Sequence, residues 1–329
     1  MAVVIAARAQ RAGPGVLEVA WELDEPADVA VCVGTSPHSG DHRFALDVPA
    51  GACSGRLAGL DDRQRYYVSL RIAGTGRAAT VVAPRTLPFV AATNFRDIGG
   101  YPTASGSRTR WGHIFRSDGL HALTPADLEA YAHLGVRLVL DLRGATERQL
   151  QPDPVESLSY PLVDWYNDPT GLRILKATSG AEAEGILLDL YYYMLDHSAA
   201  QFGAVLGRLA LPEHLPAVVH CTGGKDRTGL AVALLLGLLG VERTAILEDY
   251  ELSSNWLGEA EDHAFVKALV AAGASHEAAV AFLRAPRGVM AKALDHLEEH
   301  YGGPEAYLSG PGALSPREVS ALRQTLCEG

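Results

Sequence analysis

The stretch His220-Cys221-Thr222-Gly223-Gly224-Lys225-Asp226-Arg227-Thr228-Gly229 leaves the chain few ways to fold around it. Before it runs Ala217-Val218-Val219, an apolar segment that reads as a buried strand. After it, Leu230 to Leu236 is an unbroken apolar helix former. A strand, a loop with two glycines and a helix N-terminus, in that order, turn the loop N–H groups and the positive end of the helix dipole toward one point. That is a cradle for an anion, lined by the amides of Thr222, Gly223, Gly224, Lys225, Asp226 and Arg227. The same field favours thiolate over thiol, so Cys221 is expected to be a nucleophile rather than an inert core cysteine. Arg227 can return across the loop with a planar fork that fits two phosphate oxygens.

The stretch resembles the His-Cys-x-x-Gly-Lys-Asp-Arg-Thr-Gly signature of bacterial tyrosine phosphatases with dual or triple specificity, related in this loop to phosphoinositide phosphatases. Asn94-Phe95-Arg96-Asp97-Ile98-Gly99-Gly100-Tyr101, Phe115-Arg116-Ser117-Asp118, Asp141-Leu142-Arg143 and Tyr301-Gly302-Gly303 with Tyr307-Leu308 resemble the same family, so the resemblance runs from about Asn94 to the C-terminus. It implies an α/β cysteine-dependent phosphatase domain, a central sheet flanked by helices, with the strand ending at Asp141 beside the phosphate loop. It implies attack by Cys221 on phosphorus, with Arg227 and the loop amides holding the oxygens. Two carboxylates compete as general acid, Asp226 first and Asp141 second. Asp226, pressed against a dianion, needs a proton or a partner such as Lys225 or Arg143. Asp164 and Asp168 in the following loop are a fallback. His220 is expected to orient the loop and Thr228 to bond the sulfur. Lys225 either adds a cation for more anionic substrates such as phosphoinositides or pairs with Asp226. The Arg96 and Asp97 side chains are expected to pair with neighbours, and the Tyr191-Tyr192-Tyr193 cluster to pack in the core. No metal or organic cofactor is implied.

Residues 1–88 read differently. Short alternating runs (Leu17 to Trp21, Val29 to Val33, Arg65 to Ile72, Ala79 to Ala83) are separated by Pro, Gly and Asp turns, which points to an all-β sandwich. Trp21 at a strand end and the Leu60-x5-Tyr66-x-Val68-x-Leu70 spacing resemble a fibronectin type III domain, whose corner tyrosine ties a crossover to the backbone. Two domains are therefore expected, 1–88 and 89–329, the first a separable unit and a candidate surface for a protein partner. In the second, helices are expected at Leu123–His133, Ala183–Leu209, from Glu242, and at Glu259–Ala272, His276–Leu283, Val289–Tyr301 and Pro316–Cys327. The alanine-rich part, 258–285, is expected to be a solvated outer layer, with a lid over the site as the alternative.

Charge narrows the partners. Nine of the 28 basic and nine of the 39 acidic residues precede residue 89, so the whole net charge of −11 sits in the remainder. That balance argues against nucleic acid, whose binding rests on neutralising phosphates. Cys32, Cys53, Cys221 and Cys327 show no metal-ligand spacing, and a reactive thiol suits a reducing compartment. The longest apolar run, Leu230 to Leu239, is about half of a membrane span, and the N-terminal residues lack a basic region for a signal peptide. A cytoplasmic enzyme acting on a phosphorylated protein or a phosphoinositide is expected, with secretion lacking a cleavable signal left open. A non-catalytic phosphate-binding module and a rhodanese-like or arsenate-reducing thiol enzyme are the competing readings. Both candidate acids argue against the module, and Lys225 to Gly229 against the thiol enzymes.

Overall fold

The computed structural model describes residues 2–76, 78–163, 169–256 and 263–328. Asp164 and Asp168 lie outside the described residues. The N-terminal region is β-rich: β1 (Val4–Gly13), β2 (Val16–Leu23), β3 (Val29–Gly34), β4 (Arg43–Val48), β5 (Ser54–Leu57), β6 (Tyr67–Ile72) and β7 (Thr80–Val82). They form two antiparallel sheets, ordered β1-β2-β5 and β4-β3-β6-β7. Alternate residues of facing strands, among them Leu17, Val19, Trp21, Val29, Val31, Val68 and Leu70, fill the space between. The Tyr66 hydroxyl accepts a 3.1 Å hydrogen bond from the Asp61 N–H, the tie the spacing called for. The sequence pattern missed β1, β4 and β5, whose polar and small residues leave most positions exposed and the alternation weak.

β6 is buried over four consecutive residues, Tyr67 to Leu70. Val68 and Leu70 enter the core between the sheets, while Tyr67 packs on Ala83 and Trp111. A strand covered on both faces is a docked strand: on its outer face His42 covers Ser69, and Trp111 of the second region covers Tyr67.

That region is α/β. Its strands are β8 (Arg96–Asp97), β9 (Arg108–Thr109), β10 (Ile114–Ser117), β11 (Leu138–Asp141), β12 (Leu158–Ser159), β13 (Ala217–His220) and β14 (Cys327–Glu328). The central sheet runs β12-β11-β13-β10-β8, parallel except for β8, which pairs antiparallel with β10. β13 lies in the middle, with Asp141 of β11 and Ser117 of β10 both in register with His220. The carboxyl ends of these three strands therefore converge on one place, where open α/β sheets bind ligands.

The helices are α1 (Pro125–His133), α2 (Ala145–Leu150), α3 (Pro169–Ile174), α4 (Gly180–His197), α5 (Ala199–Leu209), α6 (Asp226–Leu238), α7 (Arg243–Trp256), α8 (Ala264–Ala272), α9 (His276–Leu283), α10 (Arg287–Tyr301), α11 (Pro304–Ser309) and α12 (Pro316–Leu326). α1 begins where Thr124-Pro125 placed it, with a reciprocal Thr124–Asp127 capping box. From Leu230 to Leu236 α6 is apolar all round and buried, as such a segment must be. Leu138, Leu140, Ala217 and Val219 face the larger core with α4, α5 and α6; Val139, Val218 and Phe115 face a smaller one with Phe95 and Tyr131. The helical pattern expected over Ala183–Leu209 divides at Ser198. Its backbone leaves the helical region, and its hydroxyl donates at 3.2 Å to the carbonyl of Leu162, 36 residues earlier, which holds the junction of the two helices against the core. Among the described residues no helix is long and apolar enough to cross a membrane.

Candidate active site

Cys221 directly follows β13 and is 2% exposed; α6 begins five residues later. The intervening loop is held from behind by its carbonyls. The Gly119 N–H donates to the Thr222 carbonyl at 2.9 Å, Asn94 Nδ2 to the Gly223 carbonyl at 2.8 Å, and Arg116 Nη2 to the Gly224 carbonyl at 2.7 Å. A peptide plane points its C=O and N–H in opposite directions. Three carbonyls tied outward thus aim the N–H groups of Gly223, Gly224 and Lys225 inward. Gly224 has φ +63°, and a Cβ there would lie 2.5 Å from the Ser117 carbonyl and the Asp118 nitrogen, so only glycine fits. A Cβ at Gly223 would meet nothing within 4 Å.

Two of these donors, Arg116 and the Asn94 amide, are set by a buried ionic cluster at β8 and β10. Asp249 of α7 bonds both Arg116 Nη1 and Arg96 Nε, the latter at 3.2 Å. Arg96 also donates to the Asp249 carbonyl, to Ser253 and to Asn94 Oδ1, fixing the amide whose Nδ2 reaches Gly223. Two guanidinium groups thus share one carboxylate. Burial, then repulsion from Arg116, brings Arg96 down to about 10. Burial alone would raise the Asp249 carboxyl, yet Arg96 and Arg116 hold it well below the usual carboxylate range. Asp97, next in the chain, pairs at 2.7 Å with Arg65 of β-rich sequence origin. The expectation that Arg96 and Asp97 pair with neighbours holds, with partners far off in sequence.

On the other side of the loop, Arg227 makes a bidentate pair with Glu147 of α2, at 2.5 and 2.8 Å, and Thr222 Oγ1 donates to the same carboxylate at 2.5 Å. Burial works against the Arg227 charge, but Glu147 and the nearby Cys221 sulfur hold it above arginine's ordinary value. Beside them, at the end of β11, Asp141 is fully buried and bonded to Arg143 by both oxygens, at 3.0 and 2.9 Å, and to its backbone N–H. Arg143 Nη2 reaches Asp153 at 2.6 Å, and His220 Nε2 lies 3.2 Å from Asp153 and 3.8 Å from Asp141. Asp141, Asp153 and His220 bring three ligand-type atoms within 4.8 Å of one another, but the cation bonded to both carboxylates is the Arg143 guanidinium. Arg143 thus serves Asp141 and Asp153, not Asp226.

Asp226 opens α6 with its side chain 18% exposed, accepting from the Tyr191 hydroxyl at 2.7 Å, with Lys225 Nζ at 3.4 Å. Lys225 itself turns away from the loop mouth. Its ammonium is buried and donates to the carbonyls of Phe282 and of Arg284, the latter at 2.8 Å, at the C-terminal end of α9 where helix carbonyls lack partners. Of its two expected roles, the contact with Asp226 is present and the ammonium's principal partners are backbone. α8 and α9 have a small core of their own around Val266, Ala279 and Leu283, and α9 lies along α4. Thr228 Oγ1 is buried and, among the described residues, has no hydrogen-bond partner.

Four supporting residues escaped the sequence reading. Glu147 and Asp249 are acids in amphipathic helices with nothing local to mark them. The core packing expected of Tyr191 is found, and its hydroxyl also reaches Asp226 and Tyr250. Asp118 closes the Phe115-Arg116-Ser117-Asp118 string. It is partly buried at the loop's edge, accepts from Ser117, the Asn94 N–H and Thr93, and burial pushes its carboxyl up to about 6.

Residues 87–328 match the profile described as "Tyrosine phosphatase family". A tyrosine-protein phosphatase of Nostoc commune is 32% identical over 218 residues, covering 64% of this chain and 73% of that protein. The triple specificity protein phosphatase PtpB of Mycobacterium tuberculosis is 30% identical over 200 residues, covering 53% of this chain and 70% of that protein. A pectate lyase structure from Erwinia chrysanthemi aligns at a TM-score of 0.21 and 15% identity over 23% of this chain and 26% of its own, which bears on neither fold nor function. With about three quarters of its length inside one family profile, this chain belongs to the tyrosine phosphatase family.

Proposed function

We propose that this protein hydrolyses phosphate monoesters through a phosphocysteine intermediate formed on Cys221. The observation that carries the reading is the outward tying of the Thr222, Gly223 and Gly224 carbonyls, which leaves inward amides around a cysteine at a helix N-terminus. In this reading the dianion sits on those amides and on Arg227, oriented by Glu147. The Cys221 thiolate attacks phosphorus; a P–O bond breaks as the S–P bond forms, and the leaving oxygen takes a proton. Water then attacks phosphorus, gives up a proton to the same acid and releases Cys221 and phosphate.

Asp226 is the better-placed proton donor. It is partly solvent-exposed at the first turn of α6 and steadied by Tyr191, whereas Asp141 is closed in by Arg143. Asp141 with Arg143 and Asp153 then acts as a positioning group for His220, and Thr228 has a hydroxyl to offer the sulfur. Phosphotyrosine is the leading substrate. Phosphoserine, phosphothreonine and phosphoinositides extend the range on kinship to a triple-specificity relative; the Lys225 ammonium, bonded to α9, lends that extension little. The 1–88 and 89–329 division stays part of the reading.

The test is a turnover panel of phosphotyrosine, phosphoserine and phosphoinositide substrates with Cys221→Ser as control. That variant is expected to lose turnover and keep binding of inorganic phosphate; appreciable residual turnover sinks the cysteine mechanism. Asp226→Asn should slow an alkyl phosphate far more than a nitrophenyl phosphate, since a poor leaving group needs the proton most. If Asp141→Asn shows that dependence and Asp226→Asn lowers both equally, the two roles are exchanged.

A further inference from the structure

The antiparallel pair β8–β10 is a plate with two working faces. Arg96 and Arg116 are cross-strand partners, and so are Asp97 and Phe115, one residue along each strand. Successive side chains of a strand point to opposite faces. The Arg96–Arg116 face meets Asp249 and supplies the donors that tie Gly223 and Gly224. The Asp97–Phe115 face meets Arg65, which precedes β6 in the β-rich region. Arg65 is 8% exposed and fully engaged: Nη2 to Asp97 Oδ2 at 2.7 Å, Nε to the Tyr67 hydroxyl at 2.9 Å, Nη1 to the Pro84 carbonyl at 3.1 Å. Its guanidinium carbon also lies 5.7 Å from the Phe115 ring centroid. Asp97 in turn accepts from the N–H groups of Gly99 and Gly112, each at 2.7 Å, so its carboxylate locks the turns that flank both strands. Without Arg65 that carboxylate keeps its amide donors and loses its counter-charge, a costly state in a buried position.

We propose that Arg65 is a positioning residue for the phosphate loop: by neutralising Asp97 it fixes the β8–β10 plate whose opposite face holds the loop carbonyls. The β-rich region is then a working part of the active site rather than a detachable accessory, which revises the sequence-based expectation of a separable unit. The inference rests on the proposed phosphate-binding role of the loop.

The experiment compares the full chain with Arg65→Met, Arg65→Lys and Tyr67→Phe. Each is checked by circular dichroism and thermal melting, then assayed for kcat and KM on an aryl phosphate and for competitive inhibition by inorganic phosphate. For folded Arg65→Met, kcat/KM and the affinity for inorganic phosphate should fall together by about threefold to thirtyfold, the range of coupling through a packed network. Arg65→Lys should recover part of both, and Tyr67→Phe, which removes one bond of Arg65, should lose roughly twofold to threefold. Unchanged kinetics and phosphate inhibition in folded Arg65→Met overturn the proposal. If Arg65→Met does not fold, wild-type behaviour in both Arg65→Lys and Tyr67→Phe overturns it equally. Absence of turnover in the unmodified chain overturns the phosphatase reading instead; Arg65 is then judged by the protection that inorganic phosphate gives Cys221 against iodoacetamide, which Arg65→Met should weaken and which, if equal in both proteins, overturns the coupling.

Discussion

The two flanks of the loop carry opposite imbalances of buried charge. On the β8–β10 side, two arginines (Arg96 and Arg116) share one carboxylate, Asp249. On the β11 side, two carboxylates (Asp141 and Asp153) share one arginine, Arg143, with His220 alongside. The difference follows from what each flank has to hold. Backbone carbonyls need donors, and an arginine supplies five in a rigid fork, so the flank that grips Gly224, directly and through its neighbour Asn94 also Gly223, is rich in arginine. On the other flank the His220 imidazole lies 3.2 Å from Asp153 and 3.8 Å from Asp141, and there carboxylate is in excess. One kind of buried ion cluster thus performs two tasks by changing which sign is in excess.

Three substitutions break or sharpen this contrast. The largest effect is expected from Asp249→Asn, which strips both arginines of the carboxylate they share. Breaking a buried pair from one side costs about 3–5 kcal/mol, so urea unfolding should show a loss of that order; a loss under about 1 kcal/mol means the arginine-rich flank tolerates its own repulsion. Asp153→Asn should cost less, about 1–2 kcal/mol, because Asp141 stays on Arg143. Burial opposes but His220 and Arg143 outweigh it, and the Asp153 carboxyl is held below its ordinary value. Its contribution is present above the ordinary carboxylate range and lost as pH falls through the depressed value. The variant should therefore differ from wild type at neutral pH and converge with it in acid, and a constant gap across pH contradicts the pairing.

Asp118 is expected to give the smallest effect and the opposite sign. Its carboxyl is raised to about 6 by burial, so between the ordinary carboxylate value and that pH the folded state holds a proton that the unfolded chain has released. Stability from this group is full below the ordinary carboxylate value and declines as pH rises through about 6. Asp118→Asn should remove that decline and gain on the order of 1 kcal/mol at neutral pH, discounted for its partial exposure. Melting temperatures from pH 4.5 to 7.5 decide it, since parallel curves for the two proteins exclude the titration.

What could be read in advance was whatever lies close together along the chain. Strand, loop and helix around Cys221, the Thr124–Pro125 helix start and the Tyr66–Asp61 tie each depend on residues a few positions apart, and each is found where expected. The supports of the loop were illegible because they join distant segments. Asp249 meets Arg96 across 153 residues, and Glu147 meets Arg227 across 80. Nothing in the local pattern of a helix says which of its acids will be buried against a guanidinium. Lys225 shows the same gap from the other side: its charge invited a substrate, and the end of α9 is what reached it.

The two glycines of the loop also set how this site can change over generations. Gly224 stands against the backbone of Ser117 and Asp118, so any side chain there has to push the loop off the end of β10. Gly223 borders open space, and next to it Thr222 is exposed. Drift is therefore barred at one glycine and permitted at the other, its neighbour in the chain. If the loop holds a substrate phosphate as proposed, a lineage can change the residue at 223 while the backbone at 224 stays fixed, and selection for a new substrate should find its first successful mutations there.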